Sequence, residues 1–470
     1  MNKMRFKTPP YKYQKEVLEQ SANKEIYALF MEQGLGKTKV SIDTATAMYD
    51  QGAIDAMLVL APNGVAANWV INEIPAHCPI DGNLSFVWRS KKTKKYREDL
   101  QVFLDAEAPF KVFSMNIEAI RTKDGFDVAK AFLKQRRTLM VVDESTIIKN
   151  HKAQQTKKAI ELGRLAVARR ILSGTPIAQS PLDLWGQCRF LSTKALPHSS
   201  YTAFKNDFAH TLLENHGNRV YERILGYKNL DKLTTAISPF SVRLLKKDNL
   251  DLPEKVYQKE YVPLSPEQER AYSDLRDMAI TMIDQGLVTT TAAVVLLIKL
   301  HQITCGFLRD DDHVIHDIKN DRVTRLKELC SRIDDKIIIW AKFKHNIQQL
   351  AKEFGDEAVT YYGETKDRDE SVRRFQNDDS CRYFIANEAA SRGLTLTASA
   401  TSIYFTNDFK LETRLQSEDR NHRIGQKRSV TYIDLISPNT VDEKILAALQ
   451  AKQNISESVL KDVTAIKGLM

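Results

Sequence analysis

The sequence lacks any apolar run long enough to cross a membrane. In its 470 residues no stretch approaches the roughly 18 consecutive apolar residues that a membrane span needs. The N-terminal segment 1–10 carries Lys3, Arg5 and Lys7 with no apolar stretch after them, so the layout of a secretory signal is missing too. These absences predict a protein with no membrane partner that stays in the cytoplasm.

Cysteine is scarce and scattered. No two of the 5 cysteines form a CxxC pair, and their number is odd, which argues against a disulfide framework or a zinc site. We therefore expect single buried thiols at Cys78, Cys188, Cys305, Cys330 and Cys381.

An excess of negative charge is also absent. Lysine and arginine number 69 against 60 aspartates and glutamates, for a net charge of +9. This balance suits a polyanionic partner, because basic side chains release counterions from phosphates when they bind. Many basic proteins bind no nucleic acid, so composition alone leaves the partner open. The length exceeds what one hydrophobic core usually supports, which predicts two or three domains.

The chain does contain two series of short apolar, β-branched runs that alternate with helical patterns. This alternation is typical of parallel α/β sheets. It predicts an α/β fold with two doubly wound parallel-sheet lobes. The predicted strands are 26–30, 56–61, 111–113, 138–142 and 170–172 in the first series and 336–340, 358–361, 382–386, 402–405 and 430–436 in the second.

Two segments between the two series of predicted strands lack regular strand runs. We expect an N-terminal lobe over 1–245 with a helical insertion at about 181–240, and a C-terminal lobe over 246–470 with a helical insertion at about 263–333. The prolines and aspartate of 238–255 have the turn chemistry of a crossing point between lobes. No repeat or low-complexity tail is visible, so we expect no sizeable accessory domain.

The strongest local signal is a glycine-rich loop between the run ending at Phe30 and a helical pattern beginning near Thr38. Its glycines let backbone amides approach phosphates, Lys37 can reach the β- and γ-phosphates, and the Thr38 hydroxyl can ligate Mg²⁺. A full phosphate-loop pattern would have glycine in place of Met31, so the match is to a shortened form. The candidate nucleotide-binding residues here are Gly34, Leu35, Gly36, Lys37, Thr38 and Lys39.

An acidic pair, Asp143 and Glu144, directly follows the buried run 139–142. Acidic residues at the carboxyl end of such a strand lie where open α/β sheets bind ligands. Asp143 would hold Mg²⁺ through its hydration shell, and Glu144 would orient or deprotonate an attacking water. The alternative is a pair of helix-capping carboxylates.

A third cluster spans 416–426 near the end of the second lobe. Arg420 and Arg423 are three residues apart, so both guanidinium groups would face one side of a helix. Two arginines three residues apart, with no other signal, usually lie on a solvated helix face. In a two-lobed protein, an arginine brought across a cleft can accelerate phosphoryl transfer by a factor on the order of 10³ to 10⁵.

In this order, the motifs resemble those of the Swi/Snf group of superfamily-two helicase-like ATPases, which are related to the DEAD/DEAH proteins and have two RecA-like lobes. The resemblance runs from Tyr13 to about Leu449, and its most specific part is Asp-Arg-x-His-Arg-Ile-Gly-Gln within 416–426. Segment 10–14 resembles the family's adenine-reading segment, which implies that Gln14 contacts the base edge. The other similar segments are 60–62 with 68–69, 114–116, 173–177, 238–255 and 337–343.

The chain departs from the family pattern in two motifs. Ser145 and Thr146 follow the acidic pair where the family has Ala-His or a close variant, which leaves the histidine's coupling role unfilled. The fifth motif, at 388–394, has its glycines replaced and its arginine displaced, so that Arg392 and Gly393 take the places of its site residues.

The resemblance implies an ATP- and Mg²⁺-dependent motor that moves along double-stranded DNA, in a compact bacterial or viral form. Lobe closure would bring Arg420 and Arg423 to the nucleotide. Three alternatives remain: a strand-separating DNA or RNA helicase, the motor subunit of a restriction or nuclease complex, and a non-hydrolysing scaffold. Protein partners stay unknown. Candidate DNA contacts are Asn63, Asn68, Ser114, Lys342 and the basic run 91–97, for which a solvated loop is the alternative.

Overall fold

Short buried strands form two separate parallel sheets in the computed structural model. The structure describes residues 4–63, 65–90, 93–216, 219–285, 290–387, 390 and 394–467. The described residues form two units, the first within Met1–Glu214, Tyr221–Leu250 and Asn454–Met470, and the second within Asn215–Val220 and Asp251–Gln453. The parallel α/β fold predicted from the sequence is confirmed.

The first unit is built on a seven-stranded parallel sheet with the order β3-β4-β2-β5-β6-β1-β9. Its central strands are apolar and buried on both faces, as expected where helices cover both sides of a parallel sheet. The strands are β1 (Ile26–Met31), β2 (Ala56–Ala61), β3 (Leu84–Val87), β4 (Lys111–Asn116), β5 (Thr138–Asp143), β6 (Ala168–Leu172) and β9 (Ser241–Leu244).

Helices connect these strands and cover the sheet. A π-helical turn, Trp69–Glu73, joins two short helices after β2, and 3₁₀ turns follow β4 and β5 at Ile117–Arg121 and Ser145–Ile148. The helices are α1 (Lys12–Ser21), α2 (Lys37–Asp50), α3 (Val65–Asn68), α4 (Ile74–His77), α5 (Lys94–Asp105), α6 (Lys123–Gln135), α7 (Gln154–Gly163), α8 (Leu184–Leu191), α9 (Tyr201–Phe208), α10 (Leu230–Ile237) and α11 (Lys246–Asn249).

The insertion expected to be helical at 181–240 also contains a two-stranded sheet. Strands β7 (Ala209–His216) and β8 (Arg219–Tyr227) pair with each other and with no strand of the seven-stranded sheet. Leu213 and Leu225 of this pair are exposed. Because these two side chains are not held in a core, the sequence carries no clear period-two pattern around them, and the expectation of a helical insertion was wrong for this part of it.

The second unit is built on a six-stranded parallel sheet with the order β10-β17-β16-β13-β15-β14. Strand β13 lies between β15 and β16 in register, with Ile337 opposite Tyr383 and Thr401. The strands are β10 (Lys255–Tyr261), β13 (Ile337–Trp340), β14 (Ala358–Tyr361), β15 (Tyr383–Ala386), β16 (Thr401–Tyr404) and β17 (Val430–Ile436).

In the insertion expected to be helical at 263–333, the described residues form three helices and a hairpin of β11 (Phe307–Arg309) and β12 (Ile315–Asp317). Inside this unit the fully buried Arg322 donates to the carbonyls of Phe405 and Leu435 and to Asp442 Oδ2 at 2.7 Å, which fixes the insertion to the sheet. The helices are α12 (Pro266–Asp284), α13 (Thr290–Thr304), α14 (Arg322–Ser331), α15 (Lys344–Phe354), α16 (Arg368–Asn377), α17 (Leu411–Glu418) and α18 (Val441–Lys467).

The five cysteines are buried and free, which confirms the prediction of single thiols. Among the described residues, no helix combines the length and the apolar character that crossing a membrane requires.

Candidate nucleotide and DNA-motor site

The glycine-rich loop occupies the turn between the end of β1 at Met31 and the start of α2 at Lys37. Gly34 and Gly36 have φ values of 85° and 79°, in the left-handed region that L side chains rarely adopt. A Cβ atom on Gly36 would lie 2.3 Å from the Gln14 side-chain nitrogen. The left-handed backbone therefore favours glycine at Gly36, and a side chain there would displace the Gln14 amide.

Gln14 supports this loop from the first turn of α1. Its side chain is buried, accepts a hydrogen bond from the Tyr11 backbone N–H at 3.0 Å and donates one to the Leu35 carbonyl at 3.1 Å. The structure thus places the Gln14 amide against the main chain of the loop. Its contact with an adenine edge stays a prediction.

Lys37 lies at the N-terminus of α2, and only 8% of its surface is exposed. Its ammonium nitrogen lies 3.0 Å from the Met31 carbonyl oxygen and 3.5 Å from that of Glu32, so it is held over the loop. Thr38 follows it and is half-buried. Lys39 differs from Lys37 in that its ammonium group does not lie over the loop. It pairs with the Asp43 carboxylate, one helical turn further along α2, at 2.6 Å.

Asp143 ends β5 and is almost fully buried. Its Oδ2 atom accepts a hydrogen bond from the Trp69 indole N–H at 2.9 Å, and its Oδ1 accepts one from the Glu144 backbone N–H at 2.9 Å. Burial raises the pKa of Asp143, while the Trp69 hydrogen bond and the positive charge of Lys37 act in the opposite direction. Trp69 is itself fully buried, so this donor is fixed in place.

Glu144 adopts a left-handed backbone conformation, with φ of 49° and ψ of 58°. Such a conformation costs a non-glycine residue about 1–3 kcal/mol and is concentrated at functional sites. The Glu144 Oε1 atom accepts a hydrogen bond at 2.9 Å from Gln33, which belongs to the glycine-rich loop. The strained turn therefore brings the predicted catalytic carboxylate to the loop.

The segment 173–177 follows β6, which lies between β1 and β5 in the sheet. A Cβ on Gly174 would lie 3.3 Å from Gln33 Cγ, so this segment also contacts the glycine-rich loop. Arg243 donates to the Gly174 carbonyl at 2.9 Å, and Glu32 Oε2 accepts the Lys246 backbone N–H at 2.7 Å. The crossing segment 238–255 thus helps to fix the loop, a role that its sequence does not indicate.

These residues fit a magnesium-bound nucleoside triphosphate. The loop offers backbone amides and the Lys37 ammonium to phosphates, while Thr38 and Asp143 offer oxygen atoms suited to a hard cation. Among the described residues, no group of three or more His, Cys, Asp or Glu side chains could hold a metal ion by itself. Two protein oxygens such as those of Thr38 and Asp143 are compatible with Mg²⁺, which keeps several waters and takes phosphate oxygens as further ligands.

In the second unit, the two predicted arginines lie beyond the end of α17 at Glu418, so the expectation that they share a helix was wrong. They are nevertheless adjacent, because Arg420 and Arg423 donate to the same Leu394 carbonyl at 3.0 and 2.9 Å. Arg420 is 3% exposed, whereas Arg423 is half-buried, and burial lowers the pKa of Arg423.

The predicted DNA contacts have different surroundings. Asn63 is exposed, whereas Ser114 is fully buried and donates to the Ala66 carbonyl at 2.8 Å. Asn68 donates to Glu73 at 3.1 Å, and Lys342 pairs with Asp408 at 3.0 Å. Ser114 is thus used to hold α3 to β4. The predicted residues Lys91, Lys92, Arg392 and Gly393 lie outside the described residues.

A glycine-rich loop, a buried strand that ends at Asp143 and is followed by Glu144, and a second parallel-sheet unit define a two-lobed, helicase-like class. The family model described as the SNF2-related domain matches residues 13–306, and the helicase conserved C-terminal domain matches residues 321–425. The chain belongs to the SNF2-related family, which confirms the resemblance.

The relatives carry helicase names. The chain is 26% identical to an uncharacterized ATP-dependent helicase of Mycoplasma pneumoniae, over 93% of this chain and 40% of that one. It is 28% identical to the ATP-dependent helicase brm of Drosophila melanogaster, over 92% and 28%, and 26% identical to the putative ATP-dependent helicase/translocase YwqA of Bacillus subtilis, over 91% and 46%. The chain therefore spans less than half the length of these relatives.

A solved structure, the Sulfolobus solfataricus SWI2/SNF2 ATPase core in complex with dsDNA, is 25% identical and matches 98% of this chain and 94% of that one, with a TM-score of 0.43.

Proposed function

We propose that this protein is a DNA-dependent ATPase that couples the hydrolysis of Mg²⁺-ATP to movement along duplex DNA. The observation that carries the proposal is the contact between the Glu144 carboxylate and Gln33 of the glycine-rich loop, which brings an acid-base group to the place where a triphosphate would bind. Family membership supports the same activity.

Each site residue then has a role. Gly34, Leu35 and Gly36 present backbone amides to the phosphates, and Lys37 neutralises their charge. Thr38 and Asp143 would hold Mg²⁺, which would screen the phosphate charge. Glu144 orients and deprotonates the attacking water. Lys39 supports the start of α2 through its pair with Asp43 rather than by contact with the nucleotide.

The two-lobed arrangement gives the remaining roles. We assign the first unit, which extends to Leu250 rather than to 245, to an ATP-binding lobe, and the second unit, which has most of its residues in Asp251–Gln453, to the other lobe. Arg423 is the arginine that reaches the transferred phosphate, because it is more exposed than Arg420. Arg420, which also donates to the Gln416 carbonyl at 2.8 Å, holds the turn that presents Arg423. Opening and closing of the lobes during each hydrolytic cycle would shift the DNA contacts.

Duplex DNA is expected to stimulate ATP hydrolysis more strongly than single-stranded DNA or RNA. The measurement is steady-state hydrolysis with no nucleic acid, with duplex DNA, with single-stranded DNA and with RNA, followed by displacement of a third strand from a triplex in the presence of ATP. Stimulation by single strands or RNA alone would contradict the duplex proposal and favour a strand-separating helicase. Hydrolysis without triplex displacement would contradict movement along the duplex.

Trp69→Phe is expected to raise the Mg²⁺ concentration needed for half-maximal nucleotide binding about tenfold. Losing a residue that orients a metal ligand has an effect of this size on metal affinity. The change keeps a buried aromatic ring but removes the N–H that holds Asp143 Oδ2. The measurement is Mg²⁺ titration of fluorescent-ATP binding, with Mn²⁺ binding followed by electron paramagnetic resonance.

Trp185→Phe is the matched control, because Trp185 is also buried in the first unit but packs against Tyr201 and Phe204. Excess Mg²⁺ should restore binding in Trp69→Phe. An unchanged Mg²⁺ titration, or an equal effect in Trp185→Phe, would contradict a positioning role for Trp69.

A further inference from the structure

The turn that follows β5 has a strained backbone. Glu144 has φ of 49° and ψ of 58°, and the 3₁₀ turn Ser145–Ile148 begins at the next residue. A left-handed conformation of a non-glycine residue persists only where the surrounding structure fixes it. Gln33 of the glycine-rich loop donates to the Glu144 side chain at 2.9 Å. That bond holds the side chain, so the backbone conformation must be fixed by other groups.

Ser145, one of the two residues that depart from the family pattern, is bonded to helix α8. Its buried hydroxyl donates to Gln187 Oε1 at 2.6 Å, across 42 positions of the chain. The Gln187 Nε2 atom donates to the main-chain carbonyls of Pro176 at 2.7 Å and Asp183 at 2.9 Å. Because a carbonyl can only accept, these two bonds fix the direction of the amide group and make Ser145 the donor. The Gln187 amide therefore uses both its N–H groups and its oxygen within the protein.

These bonds complete a closed ring of contacts. The segment 173–177, to which Gln187 donates, also lies against Gln33 of the glycine-rich loop. Gln33 in turn donates to the Glu144 side chain, and the residue after Glu144 is bonded to Gln187. Glu144 is thus held from two sides, through its side chain by the glycine-rich loop and through the adjoining backbone by α8.

The start of α8 lies very close to the turn. A Cβ atom on Gly186 would lie 2.2 Å from the Ile148 carbonyl oxygen and 2.8 Å from that of Lys149, so a side chain there would force the helix and the turn apart. A second bridge runs through Asp183, whose Oδ2 accepts the Gln179 backbone N–H at 2.8 Å and lies 3.8 Å from the Lys149 ammonium. The start of α8 therefore contacts both the turn after β5 and the segment after β6.

We propose that Gln187 is a positioning residue for ATP hydrolysis, which fixes through Ser145 the strained turn that presents Glu144. This step rests on the proposed function, in which Glu144 orients and deprotonates the attacking water. Gln187 is fully buried and its amide is bonded to protein groups, so it acts through the turn rather than by contact with ATP. Without its bonds the turn relaxes and the carboxylate leaves its place, while Lys37 remains over the loop.

Gln187→Met keeps the length of the side chain and removes its three hydrogen bonds. It is expected to lower kcat with saturating duplex DNA by about 10²-fold, the effect of displacing a reacting group by about 1 Å. The ratio kcat/KM should fall equally, because the lost interaction acts on the transition state and not on ATP binding. Ser145→Ala, which removes one of the three bonds, should show a smaller loss of the same kind. Steady-state hydrolysis over a range of ATP concentrations measures both, and a raised KM with unchanged kcat would overturn the proposal.

A double-mutant cycle separates positioning from a general loss of stability. In the Glu144→Gln protein no base remains to be positioned, so adding Gln187→Met should change the single-turnover rate by less than about twofold, the usual scatter of such cycles. A loss by the same factor in the wild-type and Glu144→Gln backgrounds would overturn the proposal.

Gln268→Met is the matched control for this cycle. Gln268 is also buried, donates to the carbonyls of Ile303 and Thr304 at 2.7 and 3.4 Å and accepts the Ser265 backbone N–H at 3.0 Å, but it belongs to the second unit. Any loss of turnover in Gln268→Met should therefore be equal, within about twofold, with and without Glu144→Gln. A loss that disappears in the Glu144→Gln background here as well would overturn the specific role of Gln187.

Hydrogen exchange tests the ring without ATP hydrolysis. Ile147 and Lys149 donate their backbone N–H groups to the Glu144 and Thr146 carbonyls of the turn at 3.1 and 3.2 Å. Both amides should exchange about tenfold faster in Gln187→Met, the worth of one net hydrogen bond, and unchanged exchange would overturn the proposal. Absence of wild-type turnover with every nucleic acid would instead overturn the proposed function and the catalytic part of this proposal, and exchange would still decide whether Gln187 anchors the turn.

Discussion

Lys37→Ala is expected to lower ATP turnover by about 10²- to 10³-fold, the effect of removing one preorganised donor from developing charge. In the structure the Lys37 ammonium is buried and held at 3.0 Å from the Met31 carbonyl, over the loop in which the phosphates would lie. Its removal leaves the phosphate charge without a fixed cation. Steady-state hydrolysis in the presence of saturating duplex DNA, together with fluorescent-ATP binding, measures the effect.

The control for Lys37→Ala is Lys24→Ala. Lys24 belongs to the same unit and also donates to a main-chain carbonyl, that of Pro239 at 2.7 Å, but its side chain is exposed. Equal losses in the two variants would indicate a general effect on stability, and normal turnover in Lys37→Ala would contradict the nucleotide site.

The sequence could predict five strands of each sheet and the glycine-rich loop because these features are local, whereas the edge strands β3, β9 and β10 were missed. Strands such as β2 and β5 are continuous apolar runs, and Gly34 and Gly36 permit the left-handed backbone that the loop adopts. The family resemblance added the order of the motifs. Short-range pattern and backbone sterics therefore carried most of the fold.

The contacts that complete the site could not be predicted, because they join residues far apart in the chain. Trp69 and Asp143 are separated by 74 positions, and no spacing rule links them until β2 and β5 pair. The turn that carries Arg420 and Arg423 was predicted as helix for another reason. The run 416–426 is polar and lacks a stop signal at Glu418, yet the bonds to the Leu394 carbonyl hold Arg420 and Arg423 outside a helix.

A cavity of about 330 Å³ in the second unit, lined by Trp340 and Tyr404 at the carboxyl ends of β13 and β16, could not be predicted from the sequence either. Trp340 was recognised only as the end of a buried strand, and Tyr404 lies 64 positions away. Their neighbourhood depends on the strand order, in which β16 pairs with β13 rather than with β15. Long-range sheet topology, which a single sequence does not specify, created the pocket.

Glu144→Gln is expected to retain ATP and lower turnover by about 10²- to 10⁴-fold, the usual contribution of a positioned general base. The substitution keeps the size of the side chain and an oxygen that can accept the Gln33 hydrogen bond, so the loop contact at 2.9 Å should persist. What disappears is the ability to take a proton from water. In this variant, fluorescent-ATP binding should therefore stay at the wild-type level while the rate of steady-state hydrolysis falls.

Glu161→Gln provides the matched control for Glu144→Gln, because Glu161 is an exposed carboxylate of α7 that pairs only with Lys130 among the contacts the structure describes. Its turnover should equal that of the wild type. Full turnover in Glu144→Gln would remove the base assignment and leave its strained backbone, with φ of 49°, as a purely structural feature that positions Asp143. Loss of ATP binding together with turnover would instead mean that the Glu144 charge maintains the loop, and the site would then need another base.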